Sequence, residues 1–455
     1  MRSFWKLTAT AILSLPCIAL TAAAADPVPF RIVIKEARRQ PAPGLHSFAH
    51  AVYDGKWLLV GGRTNGFHRT SDPESKFPSR YANRYLYVVD PVKDASWKVA
   101  IPDSIGASLR TTNAAHYQDG DVLYVIGGYG SKDDDDRPES YQTFPNVTAI
   151  RVPEVIKAIT SGHQEEVAKN IVTAEDERMR VTGGELLKLG DQFYLCFGQN
   201  YDGIYKGGYT GKYTGEIRRF SISLKGDKPS IGNYVAFGDP QGAGPNSQYH
   251  RRDLVVTESI RPDGTLGITA YGGVFTKTAG AWVNPILIDQ YASGKTTVAV
   301  DTSFEQKMSQ YDCANLVMCD PTTKTMYTTF FGGISLYYYD AQGQLTLSNL
   351  NNFTPFINSI TTQARSSDGS TVEVPQPPAN SLPKLLGSNA TFIPLETLSR
   401  CPGSHEVLDY SKLPKTSQVH LGYLYGGILA TAPQASEFNP TFANSTIYDV
   451  FLERP

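Results

Sequence analysis

A short apolar run that ends in paired glycines recurs along this chain, and it constrains the fold more than any other feature. The copies are Trp57–Gly62, Val122–Gly128, Ile268–Gly273, Tyr327–Gly333 and Leu421–Gly427, and Phe193–Gly198 is a degenerate sixth that keeps one glycine. They fall roughly 60 to 95 residues apart, the spacing of a repeated supersecondary unit. A strand ending in Gly-Gly can turn with φ above zero and admit a neighbouring backbone. In the first two copies another strand precedes the run across Asp54-Gly55 or Asp119-Gly120, a hairpin signal between alternating apolar runs. The first unit continues with strands at Arg84–Asp90 and about Trp97–Ile101. With 40 Gly, 29 Pro, 26 Tyr and 20 Phe, the composition suits many strands joined by turns.

Four antiparallel strands per glycine pair make one propeller blade. On these motifs the chain resembles the kelch-repeat β-propellers over nearly all of 26–455, most strongly in the first two blades. The resemblance implies an all-β fold: a six-bladed kelch-type β-propeller. After Gly427 one strand remains, about Thr446–Leu452, so the last blade lacks its outermost strand. The N-terminal run Pro29–Lys35 supplies it, closing the ring and removing open edges. Ser366–Lys384 reads as a linker between blades five and six, and about 396–418 as an insertion in blade six.

Residues 1–25 read as a signal peptide. Arg2 and Lys6 precede the apolar stretch Leu7–Leu20, and four alanines at 22–25 offer a cleavage site. The expected location is secreted or periplasmic, with no integral membrane span. Of the four remaining cysteines, Cys319 and Cys401 fall on the face opposite the long loops and are expected to pair; Cys196 and Cys313 are expected to stay reduced. A net charge of −2 gives no electrostatic case for nucleic acid. No cofactor or metal is expected, because no cysteine–histidine cluster has zinc spacing. The run Asp133–Asp136 reads as a solvated acidic tip.

The loops after the glycine pairs are long, about 63–83, 129–145, 199–215, 274–284 and 428–445, and lie on one face. They carry Arg63, Phe67, His68, Tyr201, Tyr205 and Phe275, groups that suit a sugar or a protein surface. Counting nine residues back from each hairpin turn places Arg110, Arg180, Arg252 and Tyr311 at equivalent positions, with Leu45 and His46 in blade one. At strand starts these side chains are expected to ring the channel mouth, where the three arginines would favour an anion. His50 and His116 occupy matching strand positions and read as packing repeats.

Two functions follow as expectations. One is an exported propeller that binds a carbohydrate or protein through its long loops. The other rests on similarity in layout to the kelch-like sialic-acid epimerase (mutarotase) group. That similarity implies a basic funnel for an anionic sugar, with His46, His68, Glu185 and Glu258 as candidate acid–base groups. Galactose-oxidase-like copper chemistry is not expected, since no paired histidines lie near Cys196 and Tyr201. The candidate ligand-binding set is His46, Arg63, His68, Arg110, Arg180, Tyr201, Arg252 and Tyr311, with no catalytic residue assigned.

Overall fold

The computed structural model describes residues 27–454, apart from 37–41, 69–76, 206–210, 225–227, 279, 341, 349–354 and 437. The leader expected over 1–25 lies outside the described residues. The chain is 47% strand, and its six larger, mainly antiparallel sheets are arranged as a six-bladed propeller. Blade one comprises Ala49–Tyr53, Lys56–Val60, Tyr85–Asp90 and Ala95–Ala100. Blades two, three and four begin at the innermost strands Ala115–Asp119, Glu185–Leu189 and Val255–Ile260. Blade five is built on Ala314–Asp320 and Thr325–Ile334, and blade six on Ala390–Pro394 and Gln418–Gly426. The outermost strand of blade six is Arg31–Glu36, which pairs antiparallel with Tyr448–Glu453 and brings Ile32 opposite Leu452. Ile32 and Leu452 are fully buried with Leu424, so closure adds to the apolar core and hides an edge.

The glycine pairs stitch blades together. Both positions have positive φ, as at Gly127 (71°) and Gly128 (91°), and in the degenerate third blade Phe197 takes the first position at 60°. Gly128 N–H donates to the Val181 carbonyl of the next blade at 2.7 Å, and a Cβ at Gly127 would lie 2.1 Å from that same oxygen. The second glycine therefore supplies an inter-blade hydrogen bond, and the first makes room for the carbonyl that accepts it.

Three features depart from the simple repeat. The helix Val152–Ser161 lies between the third and fourth strands of blade two and ends at Gly162 in the left-handed conformation. Its Val155, Ile156 and Ile159 pack on Leu86 and Val99 of blade one. The segment read as a linker contains the outer strand of blade five, Thr371–Pro375, paired with Thr361–Arg365. The insertion of blade six folds back under blade five. There Cys401 is bonded to Cys319, and Leu408–Asp409 pairs in parallel with Met318–Cys319 on the innermost strand. Cys196 and Cys313 are buried free thiols.

Candidate functional site: a channel divided by a polar ring

One residue per blade, just before the innermost strand, holds a positive φ between 50° and 66°: Ser47, Asn113, Gly183, Asp253, Asp312 and Asn389. Asn, Asp and Gly tolerate this region best, which explains the residue types. The backbone links blade to blade: Asn113 N–H donates to Ser47 O, Gly183 N–H to Asn113 O, and Asp253 N–H to Gly183 O at 2.8 Å. The side chains of Ser47 and Asn113 donate to Asn389 Oδ1, and Asn389 Nδ2 donates to Asp312. These six residues border two cavities, so the ring divides the channel.

The chamber on the long-loop side has a volume of about 220 Å³. Its wall is regular: the residue before each ring position bridges to the residue after the glycine pair. Examples are His46 with Arg63, Thr112 with Tyr129, Thr182 with Gln199, Arg252 with Val274 and Tyr311 with Ile334. Loop aromatics cover this wall, with His68 stacked near Phe67 (4.2 Å between ring centres) and Tyr205 (5.2 Å), and Tyr201 against Tyr205 (5.1 Å).

Arg252 is the cation of this chamber, and its charge is compensated. Its guanidinium reaches Asp253 at 2.5 Å, Tyr205 Oη at 2.9 Å and Tyr213 Oη at 3.0 Å. Burial pulls its pKa down, but Asp253 and the two tyrosines more than offset this and leave it well above the ordinary value. His46 is held neutral, its pKa lowered to about 3 by burial and by nearby Arg63. Burial likewise raises the Tyr311 hydroxyl far above its usual range.

Five of the eight candidate residues line this chamber: His46, His68, Tyr201, Arg252 and Tyr311. Arg63 is buried behind it, donating to the Pro78 carbonyl at 2.9 Å with its charged group over Phe77. The expected arginine ring does not assemble. Arg110 pairs with Asp134 at 3.2 Å, and Arg180 pairs with Glu177 at 2.7 Å and also donates to the Thr143 carbonyl. Counting from the turn misaligned the blades, because their innermost strands differ in length. Asn113 and Gly183 stand six residues before Asp119 and Leu189, whereas Asp253 and Asp312 stand eight before Arg261 and Asp320. Arg252 and Tyr311 therefore adjoin the ring, while Arg110 and Arg180 fall two residues short of the equivalent positions, Thr112 and Thr182. Aligning on Ser, Asn, Asp or Gly ahead of a small or apolar residue would have found the register.

The second chamber, on the hairpin side, is larger at about 300 Å³ and has a different chemistry. His50 and His116 meet at 3.1 Å, Nδ1 to Nε2, and burial lowers their pKa values to about 3 and about 4. With both imidazoles neutral, one donates and the other accepts. Glu185 is raised to about 8 by burial and by Asp253, and Glu406 to about 8 by burial, Glu258 and Glu185. Asp312 is raised well above its ordinary value by burial, then by Asp253 and Glu185.

The blade-six insertion floors this chamber. Glu258 accepts from the His405 and Glu406 backbone amides at 2.8 and 3.1 Å and from Ser404 Oγ, and His405 lies against Tyr117. Glu258 is thus a plug anchor. Among the described residues no three His, Cys, Asp or Glu side chains are grouped to hold a metal, and Asp133 and Asp135 pair with Arg137.

No family model matches this chain, and no curated protein matches it. The geometry alone defines its class: a six-bladed propeller with a partitioned central channel. No helix among the described residues is long and apolar enough to cross a membrane.

Proposed function

We propose that this chain is an exported kelch-type propeller that binds a neutral carbohydrate in the aromatic chamber beneath its long loops. One observation carries this reading. Loops from different blades, contributing Phe67, His68, Tyr201, Tyr205 and Phe275, converge over one cavity whose single lining arginine is neutralised by Asp253. Aromatic faces stack on the C–H face of a sugar ring, while Thr112, Thr182 and Gln199 offer hydrogen bonds to hydroxyls. A volume of about 220 Å³ limits the enclosed part to roughly one sugar unit.

The anionic-sugar epimerase reading loses its main support, because Arg110 and Arg180 are engaged outside the channel. Export rests on the residues 1–25 pattern and agrees with the Cys319–Cys401 disulfide, which favours an oxidising compartment. The test is a thermal-shift and saturation-transfer screen of neutral and acidic saccharides. A neutral sugar should raise the melting temperature in the wild type and not in Phe275→Ala. A response confined to acidic sugars would restore the epimerase reading. No response to any saccharide would redirect the loop face to a protein partner.

A further inference from the structure

The hairpin-side chamber has no part in the reading above and stands on its own observations. Among the described residues, no lysine or arginine lines it. Yet it gathers carboxyl groups from separate parts of the fold: Asp253 and Asp312 from the ring, Glu185 from its wall and Glu406 from the plug. The Glu185 side chain is partly buried on the chamber lining and receives no hydrogen bond or ion pair from any described residue. The side chains of Asn315 and Thr391, also on the lining, make no hydrogen bond to the described protein.

A buried acid is expensive to ionise without a cation beside it, so Glu185, Asp312 and Glu406 stay largely protonated while the chamber lacks a positive charge, whereas Asp253 is ion-paired with Arg252. A chamber made only to fill space would be lined by apolar groups. This one combines apolar Leu187, Val256 and Leu316 with acids at its two ends, Asp312 beside the ring and Glu406 on the floor. A bare metal ion fits poorly, because no three ligating side chains come together among the described residues. A polyatomic cation with charge at both ends and a short apolar middle matches the placement.

We propose that the hairpin-side chamber binds a short aliphatic diamine, its ammonium groups paired with the ring-side and plug-side carboxyls. The charge balance is explicit. The diamine arrives as a dication, two carboxyl groups lose their protons to buffer, and two buried ion pairs form. The Asn315 amide oxygen on the lining is a further acceptor for the remaining N–H groups.

Calorimetry of the purified protein with 1,4-diaminobutane tests this, in two buffers of different ionisation enthalpy. Saturable binding should release about two protons per diamine, and affinity should rise at least about tenfold from pH 6.5 to 7.5. The titratable groups facing the chamber are Glu185, Asp253, Asp312, Glu406, His50, His116, His405 and Cys313, with Glu258 behind the floor. The uncharged analogue 1,4-butanediol should not bind, and Glu406→Gln should weaken diamine binding by about tenfold or more. The saccharide response of the loop chamber should be unchanged in that variant, which separates this proposal from the previous one. The proposal is overturned if the wild type shows no saturable diamine heat, both oxidised and with its disulfide reduced to free the floor. Equal affinity for the butanediol, or binding without proton release, would also overturn it. Neither wild-type outcome depends on a variant folding.

Discussion

The two chambers share a six-residue wall and are built on opposite principles. On the loop side, aromatic rings from several blades enclose one arginine, and its charge is met by Asp253 and two tyrosine hydroxyls. On the hairpin side, acids from different blades face one another with no positive side chain on the lining. The first arrangement is electrostatically settled without a ligand and presents surface for stacking. The second relieves its strain by holding protons, and so makes stability depend on pH. Each half of the scaffold therefore carries its specificity on different elements. Loops make the first chamber, whereas strand interiors and a disulfide-anchored insertion make the second.

The comparison can be broken at four places. The largest effect is expected from opening the floor. In Cys319→Ser combined with Cys401→Ser, loss of a cross-link over a separation of 82 residues should cost about 4 kcal/mol by chain-entropy reasoning. Urea unfolding measures this, and sugar binding on the loop side should survive. An unchanged midpoint would mean that the floor is held without the bond.

Next comes Glu185→Gln. Because the folded pKa, about 8, exceeds the ordinary 4.5, both states are protonated below pH 4.5 and nothing is lost there. As pH rises from 4.5 toward 8, the unfolded chain releases its proton and the folded chain does not, so wild-type stability falls. The glutamine should therefore stabilise the protein at pH 7 by up to about 3 kcal/mol, with the gain vanishing near pH 4.5. Denaturation at pH 4.5, 6 and 7.5 resolves the trend, and a destabilised variant at pH 7 would contradict it.

The histidine pair should act on the other limb. Their folded values, about 3 and about 4, lie below the ordinary 6.5, so the stability they support above pH 6.5 is lost as pH falls through the acid range. By pH 5 each should account for about 2 kcal/mol of lost stability, and His116→Gln should flatten the acid limb by that amount. An acid limb with the wild-type slope would show that the pair does not enter folding neutral.

The smallest effect is expected on the loop side. Tyr205→Phe removes the hydroxyl that accepts from Arg252 and should cost about 1 to 2 kcal/mol, with no pH dependence between 5 and 8.

Much of this architecture is legible in the residues. The glycine pairs and Asp-Gly turns locate the blades, and the count of strands after Gly427 identifies the closing strand near Ile32. Each of those signals is local. The ring, the channel and the second chamber are not local, because Ser47, Asn113, Asp253 and Asn389 meet only after the propeller closes. Arg110 and Arg180 show how a register taken from the wrong end of a strand fails when strand lengths differ by two residues. Glu406 and Glu185, 221 positions apart, become electrostatic neighbours only because the insertion crosses beneath the channel. His50 and His116 do repeat with the blade, yet their repetition also places two imbalanced nitrogens at 3.1 Å.

Saturation-transfer spectroscopy with a neutral saccharide, run on the wild type, Phe275→Ala and Glu185→Gln, separates the two chambers. Transfer to the sugar is expected in the wild type, with loss in Phe275→Ala and retention in Glu185→Gln. Transfer that persists in Phe275→Ala and disappears in Glu185→Gln would put the sugar in the hairpin-side chamber and contradict the division of roles.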